Sequence, residues 1–296
     1  MTQNLENAIR QVESAILGKP LQIRCALASV IARGHLLIED VPGVGKTTLA
    51  HVLAKTLGLQ FSRIQFTSDL LPADILGVSV FERENNQFKF HPGPIFSQML
   101  LADEVNRATP KAQSALLEAM EEHQVTIEGE TRRLPEPFFV IATQNPSHQI
   151  GTYPLPESQL DRFLMRIQMG YPDPAAERGL LSGIDRREII AGLKPQMNAS
   201  ELLELQRRTK KVFVSDALLD YVQELLRHTR ESPHYAQGLS PRAGIAMLSA
   251  ARAWALIDGR NAVIPEDVQS VLPGVVSHRL QMADAPTDLI EAVAIP

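Results

Sequence analysis

The chain has 296 residues, of which 44 % are apolar, and its formal net charge is −5. This length predicts one large domain or two smaller ones with a sizeable core. The acidic balance disfavours a protein that binds nucleic acid non-specifically, because such proteins are usually basic. The single cysteine, Cys25, can form no internal disulfide, so we expect a reducing, cytoplasmic location. The first residues lack a signal-peptide pattern, and no apolar run approaches the roughly 20 residues that span a membrane.

The pattern of apolar residues changes near Gly170. Before it, helical periods alternate with short apolar strands, which indicates an α/β fold with a mostly parallel sheet between helices. After it the periods are all helical, so we expect an α/β domain over 1–172 and a small all-α domain over 173–296. In chain order, helices are predicted at 4–17, 21–33, 49–57, 69–76, 111–122, 174–191, 200–210, 215–230, 241–258 and 265–272. Sheet strands are predicted at 36–38, 61–66, 98–102, 138–143 and 164–169, and hairpins at 78–90 and 125–134.

A glycine-broken loop joins the first predicted strand to the helix that follows it. Its sequence over 42–48, PGVGKTT, has the form of a Walker A phosphate loop. Glycine lets the backbone approach phosphate oxygens closely, and the loop amides and the helix N-terminus attract negative charge. We expect Lys46 to bind the β- and γ-phosphates of ATP and Thr47 to bind Mg²⁺. The alternative is an ordinary glycine turn with a solvated lysine.

Asp40 departs from the Walker A consensus, which has glycine at that position. A carboxylate that faced the phosphates would repel them, so we expect the Asp40 side chain to point away from the nucleotide. The predicted nucleotide-binding residues of the loop are Pro42, Gly43, Val44, Gly45, Lys46, Thr47 and Thr48.

Two further predicted strands end in polar residues. Asp103 and Glu104 follow an apolar strand, in the form of a Walker B motif, and Asn145 follows the next sheet strand. Because ligands bind at the carboxyl ends of parallel strands, these side chains are predicted to lie beside the phosphate loop. We expect Asp103 to bind Mg²⁺, Glu104 to polarise the attacking water, and Asn145 to contact that water or the γ-phosphate. The alternatives are an ordinary polar strand end and a turn-forming asparagine before proline.

With these motifs, the chain resembles the MoxR family of AAA+ ATPases, in the helix-2-insert clade, over nearly its whole length. Residues 39–47 match that family's own Walker A form, in which Asp40 is a regular member. Residues 101–108 are similar to its Walker B segment and residues 142–146 match its sensor 1, with Asn145 as the sensor. The resemblance implies an AAA+ parallel sheet sandwiched by helices, followed by a helical lid.

The resemblance also implies roles for two arginines and a glycine. The segment 155–163 is similar to the one that carries the arginine finger, which implies that role for Arg162. An ordinary ion pair with Asp161 or Glu157 is the alternative for this arginine. Arg242 stands at the position of sensor 2, and Gly18 lies where the adenine pocket of the family begins.

The family implies Mg²⁺-dependent ATP hydrolysis by a homo-oligomeric ring, usually a hexamer, that remodels or matures protein complexes. A separate protein with a von Willebrand factor A domain is an implied partner, and the two hairpins fall where related proteins carry insertions facing a pore or client. One alternative is a DNA-associated motor, against which the net charge argues. A second is a nucleotide-gated binding switch with little turnover, against which Glu104, Asn145 and Arg162 together argue.

Overall fold

A five-stranded parallel sheet forms the centre of the N-terminal region of the computed structural model, which describes residues 2–84, 86–146, 151–183, 186–280 and 287–295. The strands are β1 (Leu36–Glu39), β2 (Phe61–Gln65), β3 (Gly77–Glu82), β4 (Gln87–Pro92), β5 (Met99–Asp103), β6 (Gln124–Ile127), β7 (Glu130–Arg133), β8 (Phe139–Gln144) and β9 (Met165–Ile167). The sheet has the order β2-β5-β8-β1-β9, and β3-β4 and β6-β7 are separate antiparallel hairpins.

Helices surround this sheet and make up the C-terminal region, which confirms the predicted fold class. They are α1 (Thr2–Ala15), α2 (Pro20–Ile31), α3 (Lys46–Thr56), α4 (Pro72–Leu76), α5 (Pro110–Glu122), α6 (Glu157–Leu160), α7 (Pro174–Ser182), α8 (Arg186–Gly192), α9 (Ala199–Thr209), α10 (Asp216–Glu231), α11 (Pro241–Ile257), α12 (Pro265–Val276) and α13 (Thr287–Ala292). Within the ranges given above, no helix is both long and apolar enough to cross a lipid bilayer.

The two faces of the sheet belong to two hydrophobic clusters, because successive strand residues point to opposite sides. Leu36 and Ile38 pack in one cluster with α1, α2 and α3, whereas Leu37 packs in the other with α4 and α5. The first cluster continues into the C-terminal helices through buried residues such as Trp254 and Val268. With α11 packed on α2 and α12 packed on β9, the helical region is docked on the sheet.

Most predicted elements are present with shifted ends, but the helix predicted over 174–191 is wrong as one element. α7 ends at Ser182 because Gly183 adopts an extended conformation, with φ −90° and ψ 174°, and α8 begins at Arg186. α6 and α13 were not predicted, since helices of 4 and 6 residues are too short to show a helical period. The boundary predicted at 172/173 falls in the segment between β9 and α7.

Candidate active site

The loop between β1 and α3 forms an open cradle at the carboxyl edge of the sheet. Gly43 and Gly45 have φ angles of +90° and +92°, a left-handed conformation that glycine adopts without strain. A Cβ at either position would meet nothing within 4 Å, so backbone conformation and not packing explains the two glycines there. α3 begins immediately afterwards at Lys46, which places the N–H groups of its first turn at the cradle.

Lys46 is the buried cation of this cradle, with 7 % of its surface exposed. Its Nζ donates a hydrogen bond of 2.5 Å to the backbone carbonyl of Asp40, the first residue after β1. Burial lowers the pKa of Lys46, and the carboxylates of Asp40, Asp103 and Glu104 oppose that shift. Acidic groups thus surround the lysine and favour its charged form, the form that binds phosphate.

The carboxylate of Asp103 is held at the end of β5 by a residue that the motifs did not reveal. Thr143 on the neighbouring strand β8 donates to Asp103 Oδ1 at 2.6 Å, and its hydroxyl accepts from the Glu104 amide at 2.8 Å. Asp103 is buried, and Glu104 adopts a left-handed conformation with φ +57°. One threonine therefore holds both the carboxylate of Asp103 and the backbone of Glu104.

The side chains of Glu104 and Asn145 meet next to this threonine. Asn145 Nδ2 donates to Glu104 Oε1 at 3.0 Å, while Gln65 Nε2 and Arg107 Nε approach Oε2 at 2.8 and 3.1 Å. Asn106 donates to the backbone carbonyl of Asn145 at 3.0 Å and so holds the backbone at that residue. Asn145 Oδ1 is buried and has no hydrogen-bond partner among the described residues. A buried acceptor beside a carboxylate fits a site for a water molecule or another donor.

Thr47 and Asp103 have the oxygen chemistry that Mg²⁺ prefers. Thr47 Oγ1 lies 3.5 Å from Asp103 Oδ2, which brings the two predicted metal ligands together. Arg63 on β2 donates to the same Oδ2 at 2.6 Å, so a cation of the protein itself already contacts this carboxylate. The residues present fit a hydrated Mg²⁺ ion held by one hydroxyl and one carboxylate.

A cavity of about 380 Å³ opens beside the phosphate loop and has a mostly apolar wall. Val44 and Thr48 line it from the loop side, Met169 and Tyr171 from the segment after β9, and Leu180 from α7. This shape and chemistry suit a nucleotide base. A larger cavity of about 420 Å³ lies elsewhere, against Arg33, His123 and Gln206, and contains none of the motif residues.

Gly18 itself does not line the base cavity, although its neighbours Leu17 and Lys19 do. Its φ is +68°, and a Cβ there would lie 2.9 Å from the Cβ of Ala176 in α7. Gly18 allows a tight turn against α7, and that turn brings its neighbours to the cavity; a nucleotide contact at Gly18 itself stays a prediction.

Arg162 and Arg242 both contact the second half of α5, and their contacts with the described residues are not to the phosphate loop of their own chain. Arg162 precedes β9, on the amino side of the sheet, and its NH1 donates to the backbone carbonyl of Leu117 in α5 at 2.6 Å. Arg242 in α11 contacts Glu121 Oε2 at 2.7 Å and Asp161 Oδ2 at 3.5 Å. Asp161 was one ion-pair partner considered for Arg162. Its carboxylate instead pairs with Arg242 and, at 2.6 Å, with Arg279 Nε.

The amides of the glycine-containing loop thus lie at the same edge of a parallel sheet as the carboxylates of Asp103 and Glu104, the arrangement of phosphate-loop ATPases. Comparisons with known proteins support the same class of protein. Residues 35–165 match the model of the ATPase family associated with various cellular activities (AAA), and residues 227–296 match the AAA lid domain. The chain is 45 % identical to the uncharacterized protein YeaC of Bacillus subtilis, over 98 % of this chain and 91 % of that protein.

Two further comparisons indicate which family of AAA ATPases the chain belongs to. The chain is 43 % identical to chaperone MoxR1 of Mycobacterium tuberculosis, over 97 % of this chain and 78 % of that protein. It superposes with a TM-score of 0.87 on the crystal structure of a "putative ATPase" from Cytophaga hutchinsonii, at 36 % identity and covering 98 % and 93 % of the two chains. The chain belongs to the MoxR family of AAA ATPases.

Proposed function

We propose that this ATPase hydrolyses ATP with Mg²⁺ in a homo-hexameric ring and remodels or matures protein clients. The contact between Asn145 and Glu104, beside the phosphate loop, is the observation that carries this proposal. A protein that only bound nucleotide would not need a carboxylate oriented by a sensor amide. The relative named chaperone MoxR1 supports the choice of protein clients.

In this proposal each residue at the carboxyl edge has a defined role. Lys46 and the loop amides bind the β- and γ-phosphates, and Glu104 polarises the attacking water that Asn145 positions. Thr47 and Asp103 would hold Mg²⁺, directly or through water, and a bound ion would supply positive charge against the charge on the phosphates. Met169, Tyr171 and their neighbours in the cavity take the base.

Arg162 and Arg242 complete the site of a neighbouring subunit in this proposal. Their position on the amino side of the sheet supports a role in trans, because the phosphate loop of the same chain lies at the carboxyl edge. Two cations that reach the γ-phosphate only after assembly would make hydrolysis depend on the ring. Glu121 pairs with Arg242 in the isolated chain, and an incoming phosphate would compete with it.

The β3-β4 hairpin is the proposed surface for clients. Phe81 and Phe88 are 45 % and 74 % exposed, and their rings pack edge to face at 5.2 Å. Arg132 of the β6-β7 hairpin lies over the Phe90 ring at 4.1 Å, which links the two hairpins. Exposed aromatic pairs of this kind are suited to transient contact with apolar segments of another protein. A von Willebrand factor A domain protein remains the proposed separate partner.

The proposal is tested by ATP turnover and ADP binding of three variants. Glu104→Gln is expected to lower kcat by about 10²- to 10⁴-fold while nucleotide affinity changes little, since a general base acts in the transition state. Lys46→Ala is expected to lose both turnover and affinity. Glu118→Gln, an exposed carboxylate on α5, is the matched control and should retain wild-type turnover. Full activity of Glu104→Gln would exclude the assigned site, and hydrolysis that depends on DNA would favour a nucleic-acid motor instead.

A further inference from the structure

Asp40, the residue that departs from the general phosphate-loop consensus, is bonded on both carboxylate oxygens. Oδ2 accepts from the backbone amide of Gly170 at 2.6 Å, and Oδ1 accepts from the amide of Val41 at 2.7 Å. The backbone amide of Asp40 donates to the Gln144 carbonyl at 3.2 Å, which extends the pairing of β1 with β8. The carboxylate therefore faces away from the phosphate cradle, as the sequence predicted, and towards a segment 130 residues further along the chain.

That distant segment is the turn between β9 and α7, and it forms one wall of the base cavity. Gly170 has φ +62°, and the residues on both sides of it, Met169 and Tyr171, line the cavity. Lys19 Nζ donates to the Tyr171 carbonyl at 2.7 Å, which closes the turn against the opposite wall. Three residues after Gly170, Asp173 accepts from the Ala176 amide at 2.8 Å and so begins α7.

Asp40 thus connects two parts of the nucleotide site that are far apart in the chain. Its carboxylate holds the base-cavity turn, and its backbone carbonyl accepts from Lys46 of the phosphate loop. Hydrogen bonds from amides to a charged carboxylate are roughly twice as strong as those between neutral groups. Glycine, the residue of the general consensus, has no side chain with which to make the link to Gly170.

We propose that Asp40 is a positioning residue that sets the distance between the phosphate loop and the base cavity. The inference rests on the proposed nucleotide site. A residue that sets the spacing of two subsites matters to a ligand that occupies both and not to a ligand that occupies one. Asp40 is therefore expected to affect the affinity for ADP more than the affinity for either half of ADP.

The test compares dissociation constants of wild type and Asp40→Asn for ADP, adenosine and pyrophosphate, measured by titration calorimetry or NMR. An asparagine can accept only through one oxygen, and its NH₂ group opposes one of the two backbone amides. ADP affinity is expected to fall about tenfold, while the affinities for adenosine and pyrophosphate change less than about twofold. Unchanged ADP affinity, or an equal loss for one of the two fragments, would overturn the proposal.

Glu39→Gln is the matched control, because Glu39 ends the same strand but contacts Arg166 at 3.1 Å and Gln144 at 2.9 Å. It should leave ADP affinity within about twofold of wild type; a loss equal to that of Asp40→Asn would overturn the proposal. If Asp40→Asn does not fold, the proposal is tested by measuring hydrogen exchange of the Gly170 amide in the wild type. Protection that increases with ADP supports the link, and free exchange in the ADP complex overturns it.

The wild-type titrations separate this proposal from the one on which it rests. If the wild type bound ADP and Asp40→Asn bound it equally well, only the positioning role would fail. If the wild type bound no adenine nucleotide, both proposals would fail.

Discussion

Asn145 and Glu104 directly follow two neighbouring strands of the parallel sheet, and a hydrogen bond of 3.0 Å joins Nδ2 of the first to Oε1 of the second. The oxygen of the Asn145 amide, Oδ1, is buried and has no hydrogen-bond partner among the residues that the structure describes. The amide thus orients the carboxylate with one atom and offers the other to a donor. In the proposed mechanism, a water molecule held by this oxygen and Glu104 is the one that attacks the γ-phosphate.

Asn145→Ala should therefore lower kcat more than nucleotide affinity. We expect kcat to fall by about 10²-fold or more, because the water and the general base both lose their orientation. The dissociation constant for ATP should stay within about threefold, since the phosphate loop is untouched. Steady-state turnover and equilibrium binding measure the two quantities. Asn261→Ala, at an exposed position, is the control, and equal losses in kcat and affinity would show that Asn145 acts in ground-state binding.

Arg63 should compete with the metal ion for Asp103. Its NH2 lies 2.6 Å from Oδ2, the oxygen that Thr47 also approaches. Removing an exposed cation from a carboxylate changes the interaction by up to about 1 kcal/mol, so Arg63→Ala should tighten metal binding about two- to fivefold. The measurement is electron paramagnetic resonance of Mn²⁺ with the ADP-bound protein. Arg227→Ala, an exposed arginine of α10, should change nothing, whereas weaker Mn²⁺ binding by Arg63→Ala would show that Arg63 supports the metal site.

The sequence motifs predicted the main residues of this candidate site, but they did not predict the residues that contact those side chains from neighbouring strands. Lys46, Asp103, Glu104 and Asn145 stand at fixed places relative to strands and loops, so a linear pattern reveals them. Thr143 lies within a strand whose apolar run gives no sign of its hydroxyl bond. Arg63, Gln65 and Thr143 reach the acidic pair only because β2, β5 and β8 are neighbours in the sheet. Contacts that depend on strand order cannot be read from spacing along the chain.

The stability of the protein should fall as the pH is lowered below about 6.5, in part because of His35. Burial lowers the pKa of His35 to about 4 in the folded protein; its Nδ1 accepts from the Val140 amide at 3.0 Å, and its Nε2 lies 3.2 Å from the Met120 carbonyl. The unfolded chain, with a histidine pKa near 6.5, binds the additional proton between these two pH values. Protonation therefore favours unfolding over that range, by about 3 kcal/mol at the lower end.

The measurement is urea unfolding of the wild type and His35→Asn at pH 7 and pH 4.5. Asparagine can keep an acceptor for the Val140 amide and does not titrate. The difference in unfolding free energy between the two proteins should shrink or reverse at the lower pH. His278, whose pKa burial also lowers, remains in both proteins, and its contribution cancels in the comparison. A difference that does not change with pH would rule out His35 as a source of acid sensitivity.

Phe81 and Phe88 should matter for clients and not for basal hydrolysis. Their exposed rings lie on the β3-β4 hairpin, outside the candidate active site. Replacing both by serine should keep basal ATPase activity within about twofold and abolish its stimulation by an unfolded protein such as casein. Leu71→Ser, another exposed apolar residue, is the control. Loss of basal activity in the double variant would indicate that the hairpin supports the site itself.

The fold was predictable because the spacing of apolar residues differs between the two halves of the chain. Alternation of strands and helices up to Gly170 predicted the parallel sheet, and helical periods after it predicted the C-terminal helices. The docking of α11 on α2 and of α12 on β9 could not be predicted, since apolar helix faces do not specify their partners. For the same reason the neighbourhood of Arg162 and Arg242, which depends on that docking, was visible only in the structure.

A site completed by a second subunit is the central claim, and a mixing experiment tests it most directly. Arg162→Ala keeps its phosphate loop but offers no finger, while Lys46→Ala offers a finger but has no working loop. Each variant alone should lose at least about 10³-fold in turnover. In equal mixture, about a quarter of random interfaces pair an intact loop with an intact arginine, and turnover should recover towards that fraction. No recovery in mixed rings verified by native mass spectrometry would contradict the account.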